Sequence, residues 1–303
     1  MITPFLACLG AIVVFWGHGV SVLDLVLSVV MYSISIMGIT LGFHRLFTHR
    51  SFKCAAPVKI ALCIAGSTAA EGPVLFWSAC HRRHHQFSDR EGDPHSPHHH
   101  EHGASKILLG WWHAHVGWMF SHPPENYVRR VPDLIRDRSI VRLNRAYLYI
   151  VLAGILLPGA VAFAVTGHWQ AFLSATLWAG LVRIFLVHHT TWSINSVCHL
   201  FGTRPYATTD HSRNNLLCAL LTFGEGWHNN HHAFPTSASL GLRWWQADFG
   251  FFLIRILSSV GLVWDIRLPT AEQIANRVQT AIDAATPSAM ADIGSRSTRE
   301  NRV

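Results

Sequence analysis

The sequence predicts an all-α integral-membrane fold of four transmembrane helices in two hairpins, and three observations carry that prediction. Of the 303 residues, 50% are hydrophobic and only 14% charged, too apolar for an ordinary soluble domain of this length. Four apolar stretches pair off across two short breaks, at His18 and Gly19 and at Gly167 and His168. Lys and Arg sit almost wholly in the connections that follow each pair, and neither hairpin tip carries one.

In chain order, residues 2–16 are apolar but short for a bilayer, so this stretch spans only with tilt or with help from its flanks. Residues 22–43 make a full span with one early charge, Asp24. Residues 58–70 and 74–79 are apolar but broken by Glu71, Gly72 and Pro73, which suits interfacial or buried helices. The second hairpin takes residues 147–165, interrupted by Pro158 and Gly159, and residues 169–187, where the lone Arg183 either snorkels or faces the protein interior. Residues 249–264, with Arg255 mid-run, are again too short to cross. From Thr270 the chain turns polar, with a possible helix to Ala285 and a Ser/Arg-rich end. The expected division is therefore a membrane domain over 1–269 and a polar, partly disordered tail over 270–303.

The basic loops, with Arg45, Arg50, Lys53, Arg82, Arg83, Arg129 and Arg130, orient the chain. By the positive-inside rule both termini and every histidine cluster lie in the cytoplasm, beneath the cell (inner) membrane. The net charge of +7 forms no dense stripe, which argues against nucleic acid as a partner. Six cysteines stand alone, without a C-x-x-C pair, as expected of free thiols in a reducing compartment. The first apolar stretch lacks the marks of a cleaved signal and is expected to stay.

Against this apolar background stand 22 histidines, a residue type favoured neither in cores nor on surfaces. They concentrate in HRLFTH (His44, His49), HRRHH (His81, His84, His85) and HNNHH (His228, His231, His232), with His199 in NSVCH. On a helix, positions i, i+3 and i+4 share a face, so each H-x-x-H-H cluster presents three imidazoles to one place. His44 and His49 are about 140° apart on an α-helix and are expected to serve different metals. Nine imidazoles exceed the four positions of a single zinc, so two metals are implied. Imidazole suits iron, copper, nickel and zinc alike. Asn195, one turn before His199, is placed to reach a metal directly or through a water.

His95, His98, His99, His100 and His102 lie in a Pro- and Gly-flanked run without helical register and are not expected to be ligands. His113, His115, His122 and His211 receive no role, while His188 and His189 are candidates to support the metal site from nearby. A zinc-binding or zinc-transporting membrane protein is the rival outside enzymology. It predicts polar or charged residues inside several spans, and these spans are almost purely apolar.

With these residues in hand, the sequence resembles the membrane fatty acyl desaturases of the stearoyl-CoA desaturase type, over roughly residues 38–269. The family pattern H-x-x-x-x-H, H-x-x-H-H and H-x-x-H-H is similar to HRLFTHRSFK, HRRHHQFSDREGDPHS and GEGWHNNHHAFP here, and HVGWMF and TWSINSVCHLFGTRPY also resemble that family. EGDPHSP and HHTTWSIN look more like its bacterial members. The resemblance implies four transmembrane helices with a cytoplasmic helical cap holding a dimetal site of two iron ions (Fe2+). It implies ligation by His44, His49, His81, His84, His85, His199, His228, His231 and His232, with Asn195 acting through a water. Thr191 and Trp192 match a family Thr-Trp pair near the bend of the acyl tunnel, Trp77, four residues before His81, matches a family tryptophan, and all three are the expected substrate contacts.

The implied reaction is oxygen-dependent insertion of a double bond, cis and Δ9-like, into a carrier-bound saturated acyl chain. An unactivated methylene has no acidic proton and no leaving group, so an oxidising metal must begin it. The carrier is CoA, acyl-carrier protein or lipid. With no haem-binding segment in this sequence, electrons are expected from a separate ferredoxin-, rubredoxin- or b-type cytochrome-like donor and its reductase. The alternatives within the chemistry are an acetylenase or terminal desaturase acting on an acyl-carrier-protein substrate, and a histidine-box hydroxylase.

Overall fold

The computed structural model of the chain describes residues 2–15, 19–98, 104–121, 126–278 and 280. His99, His100, His102, His122 and the expected helix end at Ala285 lie outside the described residues. The fold is mostly helical, and among the described residues three helices are long and apolar enough to cross a membrane.

Helix α1 (Ile2–Phe15) has 14 residues, a rise of about 21 Å against a hydrocarbon core of about 30 Å, and is not one of the three. Helix α2 (Val22–Thr48) is one of them, and its start carries a capping box in which Ser21 and Asp24 satisfy each other's backbone N–H. Asp24 is buried and also accepts from Ser174 Oγ at 2.8 Å, so the one acid of the span is held by hydroxyls. The helix runs past Phe43, where the apolar pattern ends, and its last stretch, Gly38–Thr48, is wound as a π-helix. Its 27 residues are more than a hydrocarbon core of about 30 Å requires.

Helices α3 (Ala56–Ser67) and α4 (Val74–Phe87) are separated by the Glu71-Gly72-Pro73 break, where Gly72 adopts φ +101. Helix α5 (Ala104–Trp112) and the short helices Pro132–Arg136 and Arg138–Arg145 lead to the second long pair. Helix α6 (Tyr147–Thr166) is continuous, where an interruption at Pro158 and Gly159 was expected. Proline removes the donor that would serve the carbonyl four residues earlier, but here Arg183 supplies it, Nη2 donating to Gly154 O at 3.2 Å. Helix α7 (Trp169–Ser196) extends nine residues beyond the expected span and carries Asn195 near its end. Arg183 faces inward, only 1% exposed, and donates also to Ser35 Oγ, Thr68 O and Ala179 O.

After the second pair come α8 (His228–Ala233) and α9 (Phe249–Ser259). Helix α9 is shorter than the expected apolar run, and its exposed Phe252 and Ile256 suit a membrane surface. The run ends in strand β2 (Val263–Trp264), antiparallel to β1 (Lys53–Cys54), a small departure from the all-α expectation. The six cysteines are free thiols.

Candidate metal centre

The π-helical end of α2 brings its two histidines together. His49 N donates to His44 O at 3.1 Å, an i→i+5 bond, and the two rings lie 4.8 Å apart. The expectation that they serve different metals came from α-helical spacing and is corrected by the wider turn. Arg82 reinforces this end by donating to Phe47 O and Thr48 O while pairing with Asp133.

Nine histidines gather into two groups, each suited to hold a metal ion. One comprises His44, His49, His81, His85 and His231, the other His84, His199, His228 and His232, and within each group the ligand atoms lie within 4.8 Å of one another. Each H-x-x-H-H box is therefore split between two places, where the sequence pattern suggested one. On α4, His81 and His85 face the first group while His84 faces the second. On α8, His228 and His232 face the second while His231 crosses to the first. His84 and His85 are about 100° apart around the helix, so one box straddles two adjacent pockets.

Helix α8 has six residues, too few to persist alone, and the two asparagines between its histidines hold it in place. Asn230 Nδ2 donates to Leu240 O and Gln246 Oε1, Asn214 Nδ2 donates to Asn230 Oδ1 at 2.6 Å, and Asn229 Oδ1 accepts from Tyr206 N. His199 lies in the turn beyond α7, so it does not continue the helical face of Asn195 as expected. Asn195 lines the same cavity as His44, His81 and His228.

Four buried carboxylates missed in the sequence orient the imidazoles. Nδ1 lies 2.6 Å from Glu225 in His44, 3.0 Å from Asp93 in His84, 2.8 Å from Asp89 in His199 and 2.7 Å from Asp210 in His232. An ionised carboxylate only accepts, so each Nδ1 carries the proton and each Nε2 keeps its lone pair. The Nε2 atoms then point at one another, at 3.0 Å for His44 and His231, 3.4 Å for His84 and His232, and 3.0 Å for His199 and His228. Lone pairs converging in a buried space call for a cation between them. His49 Nε2, also buried, has no hydrogen-bond partner among the described residues.

The electrostatics agree for most of the rings, while, against burial, Asp93 and the neighbouring aspartates lift His84 above the ordinary histidine range. Burial first, then neighbouring imidazoles, pushes His81, His85, His228 and His231 well below the ordinary histidine range, which keeps them neutral and able to ligate. His232 is pushed down to about 4, by burial against the pull of Asp210. Burial opposes ionisation of Asp89, Asp93 and Asp210, yet the facing imidazoles and nearby donors hold all three carboxyls well below the usual carboxylate range. In the sequence, Asp89 and Asp93 follow the second box closely and Glu225 precedes the third by three residues. In a chain with only 17 acids, that proximity was the available signal.

Beside the histidine groups lies a cavity of about 460 Å³. Trp77, Thr191 and Trp192 line it, as does Glu71. Trp77 stacks on His81 at 5.1 Å and donates Nε1–H to Glu71 at 3.0 Å, while Thr191 bonds the other oxygen of Glu71. Burial outweighs these hydrogen bonds and pushes the Glu71 carboxyl up to about 7. Arg83 and Arg130 lie at another part of the wall, with Trp118 and Met119.

Among the histidines set aside, His95 is buried, lines the cavity and packs on His84 at 4.5 Å. His188 bonds Ala69 O and Ala70 O, and His189 bonds His115, which also bonds Ser196; His188 and His189 thus tie the helices together rather than bonding a histidine of either group.

Comparison with known proteins fits this geometry. The sequence model of the family described as fatty acid desaturase matches residues 19–251. The chain is 43% identical over 275 residues, 90% of its length, to the hex-5-enoyl-(acyl-carrier protein) acetylenase of Moorena producens, covering 86% of that protein. It is 39% identical over 242 residues to the sn-1 stearoyl-lipid 9-desaturase of Synechocystis sp., covering 80% of this chain and 70% of the relative. It is 35% identical over 246 residues to delta-9 acyl-lipid desaturase 1 of Arabidopsis thaliana, covering 81% and 76%.

Proposed function

The chain belongs to the fatty acid desaturase family, and we propose that it dehydrogenates a carrier-bound fatty acyl chain with oxygen at a centre of two irons. The observation that carries this reading is the pair of convergent histidine groups beside a largely apolar cavity. The first iron would be held by His44, His49, His81, His85 and His231. The second would be held by His84, His199, His228 and His232, with a water fixed by Asn195. When bound, iron supplies the oxidising power that an unactivated methylene requires.

The chain's own residues do the rest. Trp77, Thr191 and Trp192 hold the acyl chain against the histidine groups in a fixed path, and the bound chain itself displaces water from beside them. Two hydrogens leave adjacent carbons. Together with two electrons from a separate ferredoxin-, rubredoxin- or cytochrome-like donor and two protons, they reduce one oxygen molecule to two waters. We place the histidine groups in a cytoplasmic cap, with α1 completing four spans at the cell membrane so that both termini face the cytoplasm.

Two products suit this centre. One is a Δ9-type cis double bond, in keeping with the Synechocystis and Arabidopsis relatives. The other is a further dehydrogenated chain on acyl-carrier protein, favoured by the relative from Moorena producens, which is more similar and covers more of both chains. Mass spectrometry of the acyl chains made by a desaturase-deficient host expressing this protein tests the reading, together with metal analysis of the purified chain. New unsaturation and two irons per chain are expected. A single tightly held zinc after iron-replete expression, with unchanged acyl chains, would overturn it.

A further inference from the structure

The cavity has a floor, and it lies close beneath the histidine groups. Its lining reaches down α2 to Ile39, five residues before His44, and down α7 to His188, seven residues before Asn195. These separations correspond to roughly 8–10 Å of helix rise. Below them the space between the long helices is filled by side chains that are almost wholly buried, among them Ile36, Ala69, Ile184 and Val187. Backbones meet there as well. A Cβ at Gly38 would lie 2.0 Å from Gly66 N, and one at Gly154 would lie 3.0 Å from Thr68 Cγ2, so neither seam leaves room for an alkyl chain to thread.

Arg183 locks this level. It donates to Ser35 Oγ of α2, to Thr68 O at the end of α3 and to Gly154 O of α6, and so joins four helices from its own place on α7. A tail passing this plane would have to separate hydrogen bonds made by a buried guanidinium, whose exposed alternatives in lipid are few. Two polar groups also stand at this level: Glu71, bonded by Trp77 and Thr191, and His188, bonded to two backbone carbonyls.

We infer that this cavity takes an acyl chain of short or medium length, oxidised close to its distal end, because the Arg183 clamp and the seams around it close the tunnel just past the histidine groups. This specificity rests on the desaturase reading above. Chain length is then read by the floor: each methylene that has no room beyond the reacting carbons costs about tenfold or more in kcat/KM.

A ladder of saturated acyl-pantetheine thioesters from hexanoyl to stearoyl tests it in two ways with the full-length protein in lipid nanodiscs. Thermal stabilisation of the metal-free protein reads the fit without chemistry, and turnover of the iron-loaded protein with the same acyl chains on acyl-carrier protein, read by mass spectrometry, gives the bond position. Stabilisation is expected to peak at or below the decanoyl chain, with new unsaturation among the last few carbons. A peak at any chain longer than decanoyl overturns the inference even if no chain is turned over, whereas loss of turnover at every length with the expected stabilisation profile overturns only the desaturase reading. Ile39→Ala, which deepens the floor without touching the clamp, should move the stabilisation peak to longer chains. An unmoved peak in a variant that melts like the parent would remove Ile39 and the level beneath it from the role.

Discussion

The two histidine groups differ more in what surrounds them than in what they contain. In the group of His84, His199, His228 and His232, three of four rings donate Nδ1–H to an aspartate: Asp93, Asp89 and Asp210. In the group of His44, His49, His81, His85 and His231, the carboxylate seen on a ring nitrogen is Glu225 on His44, and Glu225 in turn lies 3.6 Å from Arg45. Arg45 is 1% exposed and held from behind by both oxygens of Asp248, at 2.9 and 3.0 Å. One pocket thus has fewer imidazoles made electron-rich by three negative neighbours. The other has more imidazoles and a single anion already shared with a guanidinium. Ligand number alone would rank the five-histidine pocket as the tighter; the carboxylates argue that the four-histidine pocket would hold a metal more strongly.

The largest test of that comparison is to remove a histidine that crosses between boxes. His84→Ala should empty the four-histidine pocket and His231→Ala the other, each leaving about one metal per chain by elemental analysis and lowering turnover by on the order of a thousandfold or more. If His84→Ala instead disables the pocket of its box mates His81 and His85, so that spectroscopic signals of the five-histidine site vanish first, the division into two groups is wrong.

A smaller effect is expected from the carboxylates. Chelator stripping of the loaded protein should be biphasic, and Asp210→Asn should weaken the slow, tight phase by about 10–100-fold while leaving the fast one in place. Equal acceleration of both phases would break the asymmetry. Asp248→Asn probes the other pocket at one remove. It leaves Arg45 buried with one anion fewer and should cost about 3 kcal/mol of stability by thermal or denaturant unfolding. It should also speed the fast phase, since Arg45 would draw Glu225 away from His44. A stability loss with unchanged metal release would make Arg45 and Asp248 purely structural.

The smallest change is Asn195→Ala, which removes an amide and no imidazole. Metal content should stay near two per chain while turnover per bound iron falls by about tenfold. Unchanged turnover per iron with a lower melting temperature would mean that Asn195 only packs the end of α7.

Much of this was legible from residues alone. The long apolar runs at 22–43, 147–165 and 169–187 each became a helix able to cross a membrane, because a bilayer demands length and apolarity and both are local properties. The nine histidines stood out for the same kind of reason, as a residue type with no packing excuse in an apolar chain. Glu71 was noticed only as a break between helices, yet it lines the cavity, a fact that needs α7 to bring Thr191 across to it. Asp89, Asp93, Asp210 and Glu225 were passed over because a carboxylate's partner is set by the fold rather than by its neighbours in sequence.

What the sequence determined by itself, then, is the set of clustered histidines and the apolar segments that carry them, since composition and spacing are fixed along one chain. What only the tertiary structure decided is the sorting of those histidines. An i, i+3, i+4 box spans about 100° of helix surface and can serve one pocket or straddle two, and only the opposing helix settles which. The π-helical turn from Gly38 to Thr48 was equally beyond local reading, because a wider turn is stabilised by what packs around it, here α3 against Gly38 and Arg82 against its last carbonyls. That turn is what makes His44 and His49, too far apart in angle on an α-helix, members of one group.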